Sequence, residues 1–97
     1  MNKLEMYIEI MKKMYTTYVN KNNDYGDSFG KSIEKYGFIS GLTRISDKFN
    51  RLETIILNDC NYNVEDETLK DTLIDLANYC ILMGIEIEKI EGGDFPF

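Results

Sequence analysis

From Leu4 to Tyr18, apolar side chains return at intervals of three and four: Leu4, Tyr7, Ile8, Met11, Met14, Tyr15 and Tyr18. An α-helix, at about 3.6 residues per turn, gathers such positions onto one side, and Glu5, Glu9, Lys12 and Lys13 fall on the other. The spacing predicts an amphipathic helix over residues 2–20. Ile45, Phe49, Leu52 and Ile56 repeat the period within a second long helix expected over 38–57. A third is expected over 65–90, opened by Asn63 as N-cap with Asp66 in the first turn and stopped by Gly92-Gly93. Ser32–Tyr36 reads as a short helical turn ending at Gly37, and NDCNYN (58–63) as a loop. No strand pattern is sustained. The fold class is therefore all-α, three long helices plus a short helical turn.

The 97 residues are read as a single domain, 1–97. A core of that size supplies little net stability, so the bundle is expected to be completed by a second copy, as a homodimer or higher homo-oligomer. The tyrosine and methionine stripe of the first helix is read as core or dimer face. Eleven basic against seventeen acidic residues give a net charge of −6, which argues against binding a DNA or RNA backbone. A small anionic ligand stays open, because a few local cations outweigh a global sign. No apolar run reaches the roughly 18 residues of a membrane span. MNKLEMYIEIMKK carries acids inside its apolar pattern, which does not fit a secretory signal. Cys60 and Cys80 are read as reduced core thiols of a cytoplasmic protein. The chain has no histidine, which removes Ser-His and Cys-His pairs and His-ligated zinc. Catalysis, if any, is left to carboxylates and a hard metal such as Mg2+.

Between the first two helices lies KNNDYGDSFGK, Lys21–Lys31, polar and aperiodic yet carrying Tyr25 and Phe29. It is read either as a surface loop whose aromatics plug the core or as a segment closing over a ligand. Its glycine spacing fits neither an EF-hand nor a Walker loop. In the last helix Glu67, Asp71 and Asp75 are spaced i, i+4, i+8, within an arc of roughly 80° at about 100° per residue, and Asn78 shares that arc. Leu82 and Ile85 continue the same face. A stripe that turns from acid to apolar is expected to point into a cleft or interface, while Leu69, Leu73, Leu76, Cys80 and Ile87 make the opposite side apolar throughout. Buried like charges need a cation between them. Arg44, Asp47, Lys48 and Arg51, at i, i+3, i+4, i+7, supply one. The two stripes form either an inter-helix salt-bridge ladder or a site where acids hold Mg2+ and cations hold phosphates.

Three ordered blocks, DYGDSF (Asp24–Phe29), RISDKFNRL (Arg44–Leu52) and EDETLKDTLIDLANY (Glu65–Tyr79), resemble the nucleotide modification associated domain 1 family, small proteins largely of phages and bacteria. The resemblance covers residues 20–88 and implies nucleotide metabolism in the cytoplasm of a bacterial host. More loosely, the block order is similar to the MazG type of all-α nucleotide pyrophosphatase, usually dimeric and magnesium-dependent. That likeness implies Glu67, Asp71 and Asp75 as catalytic carboxylates and metal ligands. The paired-glutamate motif of those enzymes is missing here, and SDKFNRLE stands in its place, offering Asp47 and Glu53 with Lys48 and Arg51 between them. The departure weakens the expectation of hydrolysis more than that of binding.

On this reading the segment from Asp24 to Ser28 lies over the ligand. Tyr25 or Phe29 stacks on a base, Ser28 bonds phosphate or ribose, Gly26 supplies the turn, and Lys21 and Lys31 add charge. Arg44, Lys48 and Arg51 take the phosphates, beside Asn78. Three functions follow from these features: a Mg2+-dependent nucleoside triphosphate pyrophosphatase, a non-catalytic phage-type binder that sequesters a nucleotide-derived immune second messenger, and a structural helical dimer.

Overall fold

Asn2 opens the first helix by accepting a hydrogen bond from the Glu5 amide at 2.8 Å, which satisfies an otherwise orphaned donor. The computed structural model describes residues 1–58 and 67–92, and their side chains apart from those of 23–25 and 67–68. Four helices make up the described residues: α1 (Lys3–Tyr25), α2 (Ser28–Tyr36), α3 (Phe38–Asn58) and α4 (Glu67–Glu91). The all-α expectation holds. The loop 58–63, the Asn63 cap, Cys60 and Gly93 lie outside the described residues, apart from Asn58 as the last residue of α3.

The polar segment after the first helix is not a loop. α1 runs through Lys21, Asn22 and Asn23 to Tyr25 and ends where Gly26 takes φ +66°, its N–H donating to the Asn22 carbonyl at 2.9 Å. Asparagine and lysine are tolerated inside a helix. A positive φ is what stops it, and glycine adopts that without steric cost. Asp27 then caps α2, its carboxylate accepting from the Gly30 amide at 3.0 Å, so α2 starts four residues before the expected turn. Only Gly26 and Asp27 separate the two helices.

α3 and α4 pack antiparallel: Lys48 meets Asp75 near one end, and Gly41 lies under Met83 near the other. A Cβ at Gly41 would fall 2.5 Å from the Met83 sulfur and 3.1 Å from both Ile33 and Phe29. The missing side chain is what lets α2, α3 and α4 converge. The buried apolar centre is Phe29, 6% exposed, and Ile33, 2% exposed. Phe29 stacks on Tyr79 with ring centroids 5.9 Å apart.

The face that α4 turns to this centre lies between the two faces read from the sequence, next to Asp75 of the acid-to-apolar stripe. Thr72, Tyr79, Met83 and Glu86 look inward, with Thr72 and Glu86 buried and Glu86 3.6 Å from Lys89. Of the apolar side opposite the acids, Leu73 is 46% exposed, and Cys80 and Ile87 are exposed as well, while Leu69 and Leu76 are half-buried. Three specific contacts seat α4 there: Phe29–Tyr79, Gly41–Met83 and Lys48–Asp75. α1 leans on α4 and leaves its stripe open, with Leu4 68%, Tyr7 66% and Tyr15 71% exposed. The stripe is therefore not core within one chain. A radius of gyration of 15.4 Å exceeds the roughly 13 Å of a compact domain near this length, as an unfilled face requires.

Candidate functional site

Where α1 leans across α4, a cavity of about 410 Å³ opens onto all four helices. α1 contributes Thr17, Tyr18, Lys21 and Asn22, and the α1–α2 junction contributes Gly26 and Asp27. Ser28 and Phe29 come from α2, Arg44 from α3, and Asp75, Asn78, Tyr79 and Leu82 from α4. The wall is mixed: hydroxyl and amide groups, two carboxylates, two cations and aromatic rings. Its volume falls within the roughly 300–1,000 Å³ of small-molecule sites.

Six residues singled out from the sequence meet here: Gly26, Ser28, Phe29, Arg44, Asp75 and Asn78. Lys21, expected from its charge at the segment's end, lines the cavity too. The helical continuation of α1 brings it there, because Tyr18, Lys21 and Asn22 lie three and four apart on one face. Tyr18, Asn22 and Tyr79 are site residues that the sequence motifs do not mark. Carrying the helical period past residue 20 finds the first two.

Two side chains have roles other than the expected ones. Phe29 is not free to stack on a base, because its ring packs on Tyr79 and lies under the Arg44 guanidinium at 5.4 Å. It plugs the core. Arg44, half-buried, also donates to the Ser32 hydroxyl at 3.3 Å, so its charge is fixed in place beside the cavity. Lys48 reaches Asp75 Oδ2 at 3.2 Å, with the two side chains 29% and 31% exposed. For this pair the salt-bridge reading of the two stripes is the one realised.

Of the remaining expected residues, none whose side chain is described lines the cavity. Asp47, Arg51 and Asp71 are exposed and line none of it. Asp24 and Tyr25 form the last turn of α1 and Glu67 begins α4, and the side chains of all three lie outside the described residues. Magnesium asks for several oxygen ligands at one point. Among the described residues no three Asp, Glu or Cys side chains converge in that way, and Asp75 is already engaged by Lys48. The described donor set does not fit the expected metal centre, so no metal-dependent step is derived from it.

A family model described as nucleotide modification associated domain 1 matches residues 21–87, more than half of the chain. The chain belongs to that family. The match begins at Lys21 and spans every cavity residue except Thr17 and Tyr18, so the nucleotide modification associated domain 1 region coincides with the site. Residues 1–20, with most of the exposed α1 stripe, lie outside it. The family's description associates its domain with nucleotide modification. Comparison with curated proteins and with solved structures gave no significant match.

Proposed function

We propose that this domain binds a nucleotide in the cavity between the four helices and retains it without cleaving it. The observation that carries the reading is the convergence of Lys21, Asn22, Arg44, Asp75, Asn78 and Tyr79 on one cavity inside the family-matched region. Each has a natural partner in such a ligand. Lys21 and Arg44 attract phosphate, the Asn22 and Asn78 amides and the Asp75 carboxylate take hydroxyl and base-edge groups, and the aromatic wall accepts a base face. Capture is favoured over hydrolysis because two of the acids expected on a metal, Asp47 and Asp71, are exposed and line none of the cavity, while Asp75 is engaged by Lys48. A binder of this kind suits the sequestration of a nucleotide-derived signal in the cytoplasm of a bacterial host. No helix among the described residues is long and apolar enough to cross a membrane.

The exposed α1 stripe supports a partner as well. Leu4, Tyr7, Met11 and Tyr15 form a continuous apolar row on a helix whose other face is charged. A row of that kind in water is covered by another surface. A second copy, offering the same row, is the occupant proposed.

The test is a titration of the full chain with common nucleosides and nucleotides, with and without magnesium, followed by chromatography of the recovered ligand. Saturable binding with the ligand recovered intact is expected. Recovery of a monophosphate and pyrophosphate from a triphosphate would restore the pyrophosphatase reading.

A further inference from the structure

We infer that the cavity is matched to a nucleotide carrying one phosphate and opposes a triphosphate. The inference rests on the nucleotide-binding reading and adds the ligand's charge to it. Among the described lining residues formal charges cancel, with Lys21 and Arg44 set against Asp27 and Asp75. Lys48, just outside, adds a single positive charge through its bond to Asp75.

The free capacity for phosphate is smaller still. The Arg44 guanidinium already lies over Phe29 and bonds Ser32. The amino end of α2, an otherwise natural anion seat, is taken by the Asp27 carboxylate, which bonds the Gly30 amide and lies tightly against that residue. Lys21 is thus the one lining cation with no partner among the described residues. A phosphomonoester carries about −1.5 to −2 charges near neutral pH, which Lys21 and the field of Arg44 offset. Further phosphates would meet the Asp27 carboxylate, with Lys48 already engaged on Asp75 and no unpartnered lining cation left among the described residues.

The same carboxylates serve a nucleoside well. Asp75 gives Oδ2 to Lys48, and its Oδ1 makes no hydrogen bond among the described residues, leaving an acceptor for a sugar hydroxyl or an exocyclic amine. Asn78, three residues on along the same face, brings an amide able to donate and accept.

The experiment is calorimetric titration of the full chain with the adenosine, guanosine, cytidine and thymidine series at zero, one, two and three phosphates, without divalent metal and then with magnesium. For whichever base binds best, the monophosphate is expected to be tightest and the triphosphate weaker by about tenfold or more. Lys21→Ala should bring the monophosphate down to the nucleoside's affinity while leaving the nucleoside unchanged. Thermal melting of the same variant should show an intact fold. Affinity rising with each added phosphate would overturn the inference and leave the nucleotide site standing. If no member of any series binds, the nucleotide reading falls and this inference with it.

Discussion

Lys48 and Asp75, 27 positions apart in the chain, meet at 3.2 Å across the seam between α3 and α4. The bond does two things at once. It fixes the register of α3 against α4, and it sets the Asp75 carboxylate at the edge of the cavity. Both side chains are about one-third exposed, so the pair is worth more as a positioning device than as a source of stability. A double-mutant cycle with Lys48→Ala and Asp75→Ala, read by urea denaturation, should return a coupling of about 1 kcal/mol or less. A coupling several times larger would mean the pair is far better shielded than this geometry allows.

The convergence of three helices depends on Gly41. Gly41→Ala places a methyl group against the Met83 sulfur and tightly against Phe29 and Ile33, and should cost about 1–3 kcal/mol, seen as a lower melting temperature. Gly84 supplies the contrast. It lies in α4 with nothing within 4 Å of the position its Cβ would take, so Gly84→Ala should stabilise the chain by about 0.5–1 kcal/mol through helix propensity. Equal effects of the two substitutions would contradict the packing described.

Phe29 tests whether its ring belongs to the core or to the ligand. Phe29→Ala removes a side chain 6% exposed, stacked on Tyr79 and covered by Arg44, and should destabilise the protein by about 3–5 kcal/mol. A stable variant that loses only nucleotide binding would make Phe29 a stacking platform after all.

The α1 row predicts self-association. Replacing Tyr7, Met11 and Tyr15 together with Ser should shift the chain to monomer in light scattering coupled to size exclusion, with α-helical circular dichroism retained. Unchanged mass for native and variant chains, both monomeric, would remove the second copy from the account.

Much of the fold is legible in the sequence because helices announce themselves by period. Leu4 to Tyr18 and Ile45 to Ile56 mark two of them without ambiguity, and Gly37 marks the break between α2 and α3. The end of α1 is hidden because Lys21 to Tyr25 has no apolar rhythm, although Gly26 is the first residue there whose backbone stops a helix. The inward face of α4 is hidden for a different reason. Periodicity counts apolar residues, whereas the packing turns on Tyr79, Asp75 and the space over Gly41, which are specific contacts that no helical wheel reveals. Arg44, Asp75 and Asn78 are recognisable because their stripes are short and lie where the helices cross. Asp47, Asp71 and Arg51 share those stripes by spacing, but they project to solvent in the folded chain.

The four-helix cavity as the seat of a nucleotide is tested most directly by titrating the isotope-labelled full chain with a nucleoside monophosphate and following backbone amide shifts. Saturable changes are predicted at Asn22, Gly26, Asn78 and Tyr79, with Asp47, Arg51 and the first two turns of α1 unmoved. Changes centred on Asp47, Arg51 and Asp71, or none at the cavity up to saturating ligand, would contradict it.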